Sequence, residues 1–276
     1  VHAYEVNSAD VLVFKTLKVY PHVSSDVDQL ARNPESVGNA IRSLRALGYT
    51  TKSQNEPFKL TFENKAAMAR GEWNPSIDLY SKISWRGLTY FDCELMWQRR
   101  RTLHISGTAV YVPSAEDEML IACVHSMLKE HFVTLDDFHH VVGLLRAVPL
   151  DWEYIHTIAE YYGFSLALFY FLCIVNGLHL RLYTVGIVPN ALFQKLHREH
   201  ETVRLFASFM KREAASRLER WPYIPSLVLI AAIIFHKVAL DVKKHRVKAA
   251  FRQLYMHFRE VLTFILTIHL GGRFRH

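Results

Sequence analysis

Three aspartates stand at positions from which they could together hold a metal ion. Asp26 and Asp28 lie two residues apart in an otherwise apolar segment, and Asp78 lies in a second apolar segment further along the chain. Residues i and i+2 of a strand point to the same face of a sheet, with Cα atoms roughly 6.5–7 Å apart. Carboxylates gathered on one face repel one another unless cations lie between them. We therefore interpret these residues as a Mg²⁺ site that binds the phosphates of a nucleotide.

The segments around these aspartates have the pattern of β-strands. A continuous apolar run, Val11–Phe14, predicts a buried strand over residues 10–16. Lys15 and Thr16 end this strand, where an ammonium group and a hydroxyl can meet phosphate oxygens. A second strand over residues 23–30 carries the first two aspartates.

A helix and two more strands are predicted next. Asn33 followed by Pro34 is a typical helix start, and Gly48 is a typical helix end. Alternation predicts a third strand over residues 57–62, and a fourth strand over residues 76–85 carries Asp78. A short helix over residues 90–98 and a strand over residues 108–112 complete this part of the chain.

Helical patterns dominate the chain after residue 112. Ser114 with Asp117, and Thr134 with Asp137, have the spacing of helix N-caps. The predicted helices cover residues 114–129, 134–146, 151–163, 165–176, 190–217, 225–248 and 249–270. The sequence therefore predicts an α+β protein, with a small mixed β-sheet domain at residues 1–112 followed by an all-helical domain at residues 113–276.

Two residues of the first of these helices are candidate ligand contacts. His125 and Lys129 are four residues apart, so they share one helix face. They either contact a nucleotide or form an ordinary pair on a helix surface.

The chain is basic, with a formal net charge of +7 and sixteen histidines. This balance suits an anionic ligand, such as a nucleotide, a nucleic acid or an acidic partner, and also suits general solubility. The run Arg99-Arg100-Arg101 either steers a polyanion or forms a solvated turn. A basic stretch at residues 243–248 with aromatic neighbours either binds nucleic acid or is the solvated back of a helix with an aromatic core face.

Cysteine usage and hydropathy predict a cytoplasmic protein without a membrane partner. The three cysteines are far apart and form no CxxC pair, which argues against a zinc site or a disulfide framework. The longest apolar run, residues 224–235, is shorter than the roughly 20 residues that span a bilayer.

The order of these motifs resembles the nucleotidyltransferase superfamily, which has the DNA polymerase β-like fold, and within it the uncharacterised nucleotidyltransferases. That group typically has a Lys-Gly or Gly-Ser turn, an arginine-containing segment ending in D-I-D-L-L-V, and an I/V-D-L-H-type strand. A helical region with P-x-x-E-x-x-L and a histidine follows. The resemblance covers roughly residues 10–165. The counterparts here are Lys15-Thr16, Asp26-Val27-Asp28-Gln29-Leu30, Ile77-Asp78-Leu79-Tyr80, residues 113–120, His125, Leu135-Asp136-Asp137 and Leu150-Asp151-Trp152.

The resemblance implies an enzyme that moves a nucleoside monophosphate from an NTP to an acceptor hydroxyl. Asp26 and Asp28 would bind two Mg²⁺ ions with the triphosphate, and Asp78 would complete the site and help to activate the acceptor hydroxyl. The expected nucleotide-binding residues are Lys15, Thr16, Ser25, His125 and Lys129. The acceptor could be a small molecule, a protein or RNA.

The chain also departs from the family pattern. Lys15-Thr16 replaces the Gly-Ser turn, Ser24-Ser25 replaces the arginine region, and Tyr80 stands where histidine is frequent. Gln29 and Ala31 also differ from the usual strand. These departures leave open a catalytically weak or inactive nucleotide-binding or interaction module of the same fold. A nucleic-acid-binding protein that uses the basic C-terminal stretch is a third hypothesis.

Overall fold

The structure is a computed structural model. It describes residues 9–18, 24–56, 58–72, 74–85, 88–199, 201–219 and 222–243, together with positions 251, 254, 255 and 259. By their contacts the residues form two compact units. The first comprises Val1–Lys129 with Thr134–Ile158, and the second comprises Glu130–Val133 with Ala159–His276. The domain boundary at residue 112 stays a prediction.

A five-stranded mixed sheet forms the centre of the first unit. Its spatial order is β1-β2-β5-β4-β3, in which β2 and β5 are parallel and the other neighbours are antiparallel. This arrangement confirms the predicted fold class. The strands are β1 (Val11–Phe14), β2 (Asp26–Ala31), β3 (Thr50–Glu56), β4 (Lys59–Glu63) and β5 (Ser76–Tyr80).

Helix α1, Pro34–Ala46, covers one face of this sheet. The side chain of Asn33 accepts a hydrogen bond from the Ser36 backbone N–H at 2.8 Å, as a helix N-cap does. After the helix, Gly48 has φ +83°, a conformation that glycine adopts without steric cost. The core between helix and sheet consists of apolar side chains from both, namely Ala31, Ala40, Leu44, Phe62, Ile77 and Leu79.

Several elements of the first unit were not predicted from the sequence. Strand β3 is polar throughout, so it lacks the alternation that would have revealed it. A short helix α2, Lys65–Ala69, follows β4. The predicted strand over residues 76–85 ends at Tyr80, and residues 84–85 instead pair with residues 88–89 as the short strands β6 and β7.

The arginine run was interpreted as a solvated turn or a polyanion contact, and the structure places Arg99 and Arg100 in the connection between helix α3, Cys93–Gln98, and the next strand, with Arg100 exposed. Arg99 pairs with Glu116 at 2.9 Å and stacks on the Tyr154 ring at 3.7 Å. Arg101 begins strand β8, Arg101–Ile105, which forms a hairpin with β9, Thr108–Val112. Arg100 lies over the Tyr111 ring at 4.8 Å. Arg99 and Arg101 are therefore partly buried by their partners, whereas Arg100 stays exposed.

Most of the other elements of the first unit are helical, and two of them extend into the second unit, through Glu130 and through residues 159–161. Ser114 caps α4, and Thr134 and Asp137 form a reciprocal capping box at the start of α5, as predicted. A six-residue π-helix follows α4 directly. The elements are α3 (Cys93–Gln98), α4 (Ala115–Val124), the π-helix (His125–Glu130), α5 (Leu135–Ala147) and α6 (Trp152–Tyr161).

The described part of the second unit is helical. Its elements are α7 (Ser165–Tyr183), α8 (Asn190–Glu199), α9 (Glu201–Arg217) and α10 (Leu227–Lys243). The helix predicted over residues 190–217 is described as α8 and α9, and residue 200 between them lies outside the described residues. The predicted helix over residues 249–270 and most of the basic stretch after Lys243 lie outside the described residues.

Helix α7 is the core of the second unit. It is long and apolar enough to cross a membrane by length and composition, but 72% of its 18-residue apolar window is buried within the protein. Among its side chains, Leu166, Phe169 and Ile174 are completely buried. Burial of this kind is expected of a core helix.

Candidate active site

Two of the predicted aspartates lie side by side at the centre of the sheet. Asp28 of β2 and Asp78 of β5 are register partners on parallel neighbouring strands. Both are buried, with 4% and 6% of their surface exposed. Asp26 lies two residues before Asp28, opposite Ser76, and is half-buried. The alternation of a strand therefore places all three on the sheet face opposite α1.

The two carboxylate oxygens of Asp28 differ, because only Oδ2 accepts a hydrogen bond from a described residue. Its Oδ2 accepts a hydrogen bond from the Lys15 ammonium at 2.9 Å. Its backbone N–H donates to the Thr16 hydroxyl at 2.9 Å. Its Oδ1 is buried and has no hydrogen-bond partner among the residues that the structure describes. A buried carboxylate oxygen without a donor is costly, which makes this atom a natural ligand for a cation.

Asp78 is held differently, by two side chains of the next strand. Lys59 donates to Asp78 Oδ2 at 2.8 Å, and the Thr61 hydroxyl donates to Oδ1 at 2.7 Å. Lys59 and Thr61 are not among the site residues predicted from the sequence. Their alternation with the apolar residues Leu60 and Phe62 does place them on one strand face, but the sequence does not specify which strand lies beside them.

The turn that carries Lys15 is tight. Lys15 has φ +60°, and the Thr16 N–H donates to the Phe14 carbonyl at 2.6 Å. This left-handed conformation costs a residue with a side chain roughly 1–2 kcal/mol. The departure of Lys15-Thr16 from the family's glycine-containing turn thus falls at a backbone position that favours glycine. Ser25, another predicted nucleotide contact, is exposed in the bend before β2.

A pocket lies beside the aspartates, entirely within the first unit. It is a half-open cleft with about 450 Å³ of empty space, including solvent at its mouth, and its walls combine aromatic and aliphatic side chains with polar and ionisable groups. It brings together three of the predicted nucleotide contacts, Lys15, His125 and Lys129. The full lining is Phe14, Lys15, Tyr80, Ile83, Ser84, Tyr90, Phe91, Ile121, Val124, His125 and Lys129.

Lys15 connects this pocket to the aspartates. Its ammonium reaches Asp28, and its side chain also lines the pocket. Phe14 is the register partner of Asp28, and its ring packs edge-on against Tyr80 at 5.2 Å. The floor of the pocket is therefore continuous with the strand face that carries the carboxylates.

The helical wall of the pocket begins with the π-helix. His125 is its first residue and Lys129 its fifth. Burial, followed by the positive charges of Lys15, Lys129 and Lys18, lowers the pKa of His125 well below its usual value. His125 is therefore neutral at pH 7 and can both donate and accept a hydrogen bond. Single-turn π-helices are frequent at functional sites.

The donor set fits a divalent cation at the first two aspartates. Within the described part of the chain, no group of three His, Cys, Asp or Glu side chains is arranged to hold a metal ion. Asp28 Oδ1 is open, and Asp26 accepts a hydrogen bond through Oδ1 from Ser24 at 3.2 Å. Few carboxylates, completed by water and phosphate oxygens, are what Mg²⁺ prefers.

The mixed sheet, with its aspartates on two parallel neighbouring strands, agrees with the family that the motif order resembles. A family model described as uncharacterised nucleotidyltransferase matches residues 23–179, more than half of the chain, and the chain belongs to that family. The match spans β2, β5 and the pocket's helical wall, and it confirms the resemblance seen in the sequence.

Other comparisons are more distant. A crystal structure of a lincosamide antibiotic adenylyltransferase with lincomycin bound is similar at 12% identity and a TM-score of 0.38. That likeness covers 54% of this chain and 92% of the other. No curated protein matches the sequence.

Proposed function

We propose that this chain transfers a nucleoside monophosphate from an NTP to an acceptor hydroxyl, with Mg²⁺ bound at its aspartates. The single observation that carries the proposal is Asp28 Oδ1, a buried carboxylate oxygen without a hydrogen-bond donor, on the strand face that continues into the pocket. Membership of the family supports the transfer of a nucleoside monophosphate. The bound Mg²⁺ and the roles of individual residues are proposed here.

The pocket suits the nucleotide. The ammonium groups of Lys15 and Lys129 can neutralise phosphate oxygens, and the Thr16 hydroxyl is adjacent to Asp28. The aromatic side chains Tyr80, Tyr90 and Phe91 offer apolar surface to a base or a sugar. Neutral His125 adds a hydrogen bond without attracting or repelling phosphate charge.

In the transfer, the acceptor oxygen forms a bond to the α-phosphorus while the bond from that phosphorus to the bridging oxygen of the β-phosphate breaks. Pyrophosphate leaves with the bonding electrons. Asp78 is the proposed group that orients the acceptor hydroxyl and takes its proton. Mg²⁺ at Asp26 and Asp28 would supply positive charge that stabilises the attacking and leaving oxygens.

The environment proposed is a reducing cytoplasm. All three cysteines are free, and Cys123 and Cys173 are buried. Burial raises the pKa of Cys173 to about 12, so its thiol stays protonated and unreactive. The acceptor is proposed only as a hydroxyl compound, which could be a small molecule, a protein side chain or an RNA end.

The test compares NTPs labelled at the α-phosphorus with NTPs labelled at the γ-phosphorus. With Mg²⁺ and small-molecule, protein and RNA acceptors, the wild type should transfer the α label and not the γ label. Asp26→Asn and Asp28→Asn should each abolish transfer, whereas Asp10→Asn, an exposed aspartate before β1, should not. Transfer of the γ label, or equal transfer by Asp28→Asn, would contradict the proposal.

A second candidate is a nucleotide-binding module without catalysis. It is favoured by the lysine partners of Asp28 and Asp78, because these ion pairs neutralise both carboxylates. This candidate predicts Mg²⁺-dependent NTP binding, no transfer of the α label to any acceptor, and no loss of binding in Asp78→Asn.

A further inference from the structure

The carboxylates on the sheet face differ in how many of their oxygens are already engaged. Both oxygens of Asp78 accept short hydrogen bonds, from the Lys59 ammonium at 2.8 Å and from the Thr61 hydroxyl at 2.7 Å. Asp28 has only Oδ2 engaged, and its Oδ1 is buried without a partner among the described residues. A cation can therefore bind Asp28 Oδ1 without displacing a hydrogen bond, whereas at Asp78 both oxygens already accept one.

Lys59 is fixed in place by the strand that carries it. Thr61 is the register partner of Asp78, and Lys59 is the register partner of Tyr80, two residues further along β5. The ammonium of Lys59 also lies 5.6 Å from the centre of the Tyr80 ring. Its side chain is 20% exposed, so it is only partly in contact with water. These contacts keep the positive charge beside Asp78.

A divalent ion bound to Asp78 would lie very close to this ammonium. Mg²⁺ binds carboxylate oxygen at about 2.0–2.1 Å. Lys59 Nζ is 2.8 Å from Asp78 Oδ2, so an ion on that oxygen and the ammonium would be neighbours with no group between them. Like charges at such a distance repel strongly, and partial burial reduces the screening.

We propose, building on the proposed function, that the site binds one divalent ion rather than two. Asp26 and Asp28 hold that ion, and the Lys59 ammonium takes the place of a second ion beside Asp78. Asp78 is then an acceptor-side group positioned by Lys59 and Thr61, and not a metal ligand. This differs from the two-ion site with three aspartate ligands that the resemblance implies.

The test counts Mn²⁺ ions bound per full-length chain, by electron paramagnetic resonance with Mn²⁺ as the probe and no nucleotide. The wild type should bind one ion and show no coupling between neighbouring Mn²⁺ ions. Lys59→Met opens Asp78, so this variant should bind a second ion at least tenfold more tightly than the wild type does, with Mn²⁺–Mn²⁺ coupling. Lys59→Arg, which keeps the charge, should bind one ion.

The double variant Lys59→Met/Asp78→Asn separates this explanation from a general change of shape. It removes the ammonium and the carboxylate together, so it should bind one ion again. It also avoids a buried carboxylate without its cation, so it provides a folded control if Lys59→Met is unstable.

Two ions bound to the wild type, or one ion bound to a folded Lys59→Met, would overturn the inference. If Lys59→Met does not fold, the number of Mn²⁺ ions bound by the wild type and by Lys59→Arg decides, and two ions bound to either protein would overturn the inference. The proposed function fails separately, through a wild type that binds no Mn²⁺ or an Asp28→Asn variant that binds it as well as the wild type.

Discussion

Asp28 and Asp78 lie opposite each other on the two parallel strands of the sheet, yet each carboxylate pairs with a different lysine. Lys15 reaches Asp28 from the turn after β1, and Lys59 reaches Asp78 from the neighbouring strand β4. The first lysine also lines the pocket, whereas the second does not. Under the proposed function the two lysines would have separate roles, with Lys15 facing the nucleotide and Lys59 holding the acceptor-side carboxylate.

The backbone at Lys15 predicts a difference between two small substitutions. Glycine adopts φ +60° freely, whereas alanine retains the left-handed penalty of roughly 1–2 kcal/mol. The larger entropy of unfolded glycine offsets about 0.5–1 kcal/mol of this. Lys15→Gly should therefore be more stable than Lys15→Ala, by up to about 1.5 kcal/mol. Urea unfolding measures the difference, and a Lys15→Ala variant that is the more stable of the two would contradict the turn geometry.

The affinity for an NTP should depend on the charge of Lys129 more than on the shape of its side chain. If its ammonium meets phosphate in the pocket, Lys129→Met should raise the dissociation constant for an NTP severalfold, and more so at low salt. Lys129→Arg keeps the charge and should stay close to the wild type. Calorimetric titration at two ionic strengths checks both variants. Equal affinity of the Met variant and the wild type at low salt would remove Lys129 from the nucleotide site.

Glu118 makes the stability of the protein depend on pH. Burial raises the pKa of the Glu118 carboxyl to about 7, although the positive charges of Arg101 and Lys18 lower it in part. The carboxylate also lies 3.9 Å from His140 Nε2. The folded state therefore holds a proton that the unfolded state releases near its ordinary pKa of about 4.3. Between these values the folded state binds more protons, so stability falls as pH rises.

Glu118→Gln removes this dependence. Relative to the wild type, the variant should gain about 3 kcal/mol of stability between pH 5 and pH 8, since one pKa unit corresponds to about 1.36 kcal/mol. Denaturant unfolding at the two pH values measures this change. A gain of the opposite sign, with the variant losing stability as pH rises, would show that the ion pair with Arg101 outweighs the burial of the carboxylate.

The second unit contains a buried ion pair. Lys237 donates to Asp241 at 3.3 Å and to the Tyr162 carbonyl at 2.8 Å, and both charged residues are 3% exposed. Lys237→Met leaves the Asp241 carboxylate without its ammonium partner and should cost about 3–5 kcal/mol. The double variant Lys237→Met/Asp241→Leu should regain much of this loss. A thermal melt in which the double variant is less stable than the single variant would contradict the interpretation.

The sequence predicted the parts of the site that depend on local pattern. The strands that carry Asp26, Asp28 and Asp78 follow from apolar runs, and the caps at Asn33 and Thr134 follow from residue type and spacing. The resemblance implies the metal-binding roles of the aspartates and a nucleotide contact for His125, and these roles stay predictions.

Contacts between residues that are distant in the chain could not be predicted from the sequence. Lys59 is an ordinary lysine in a short strand until β4 is known to lie beside β5. Strand β3 has no apolar alternation, because its polar residues belong to the outermost strand of the sheet. The partners of Arg99 could not be predicted either, because Glu116 and Tyr154 lie in helices well beyond it in the chain.

The most direct test of a metal-dependent nucleotide site is the affinity of the full-length chain for each of the four NTPs, titrated calorimetrically with and without Mg²⁺. This needs no knowledge of the acceptor. The account predicts that at least one NTP binds with an affinity that Mg²⁺ raises more than tenfold, and that Asp28→Asn abolishes this increase while Asp10→Asn preserves it. If Mg²⁺ leaves every NTP affinity unchanged in the wild type, or if Asp28→Asn retains the full increase, the site at Asp28 is not the metal-dependent nucleotide site described above.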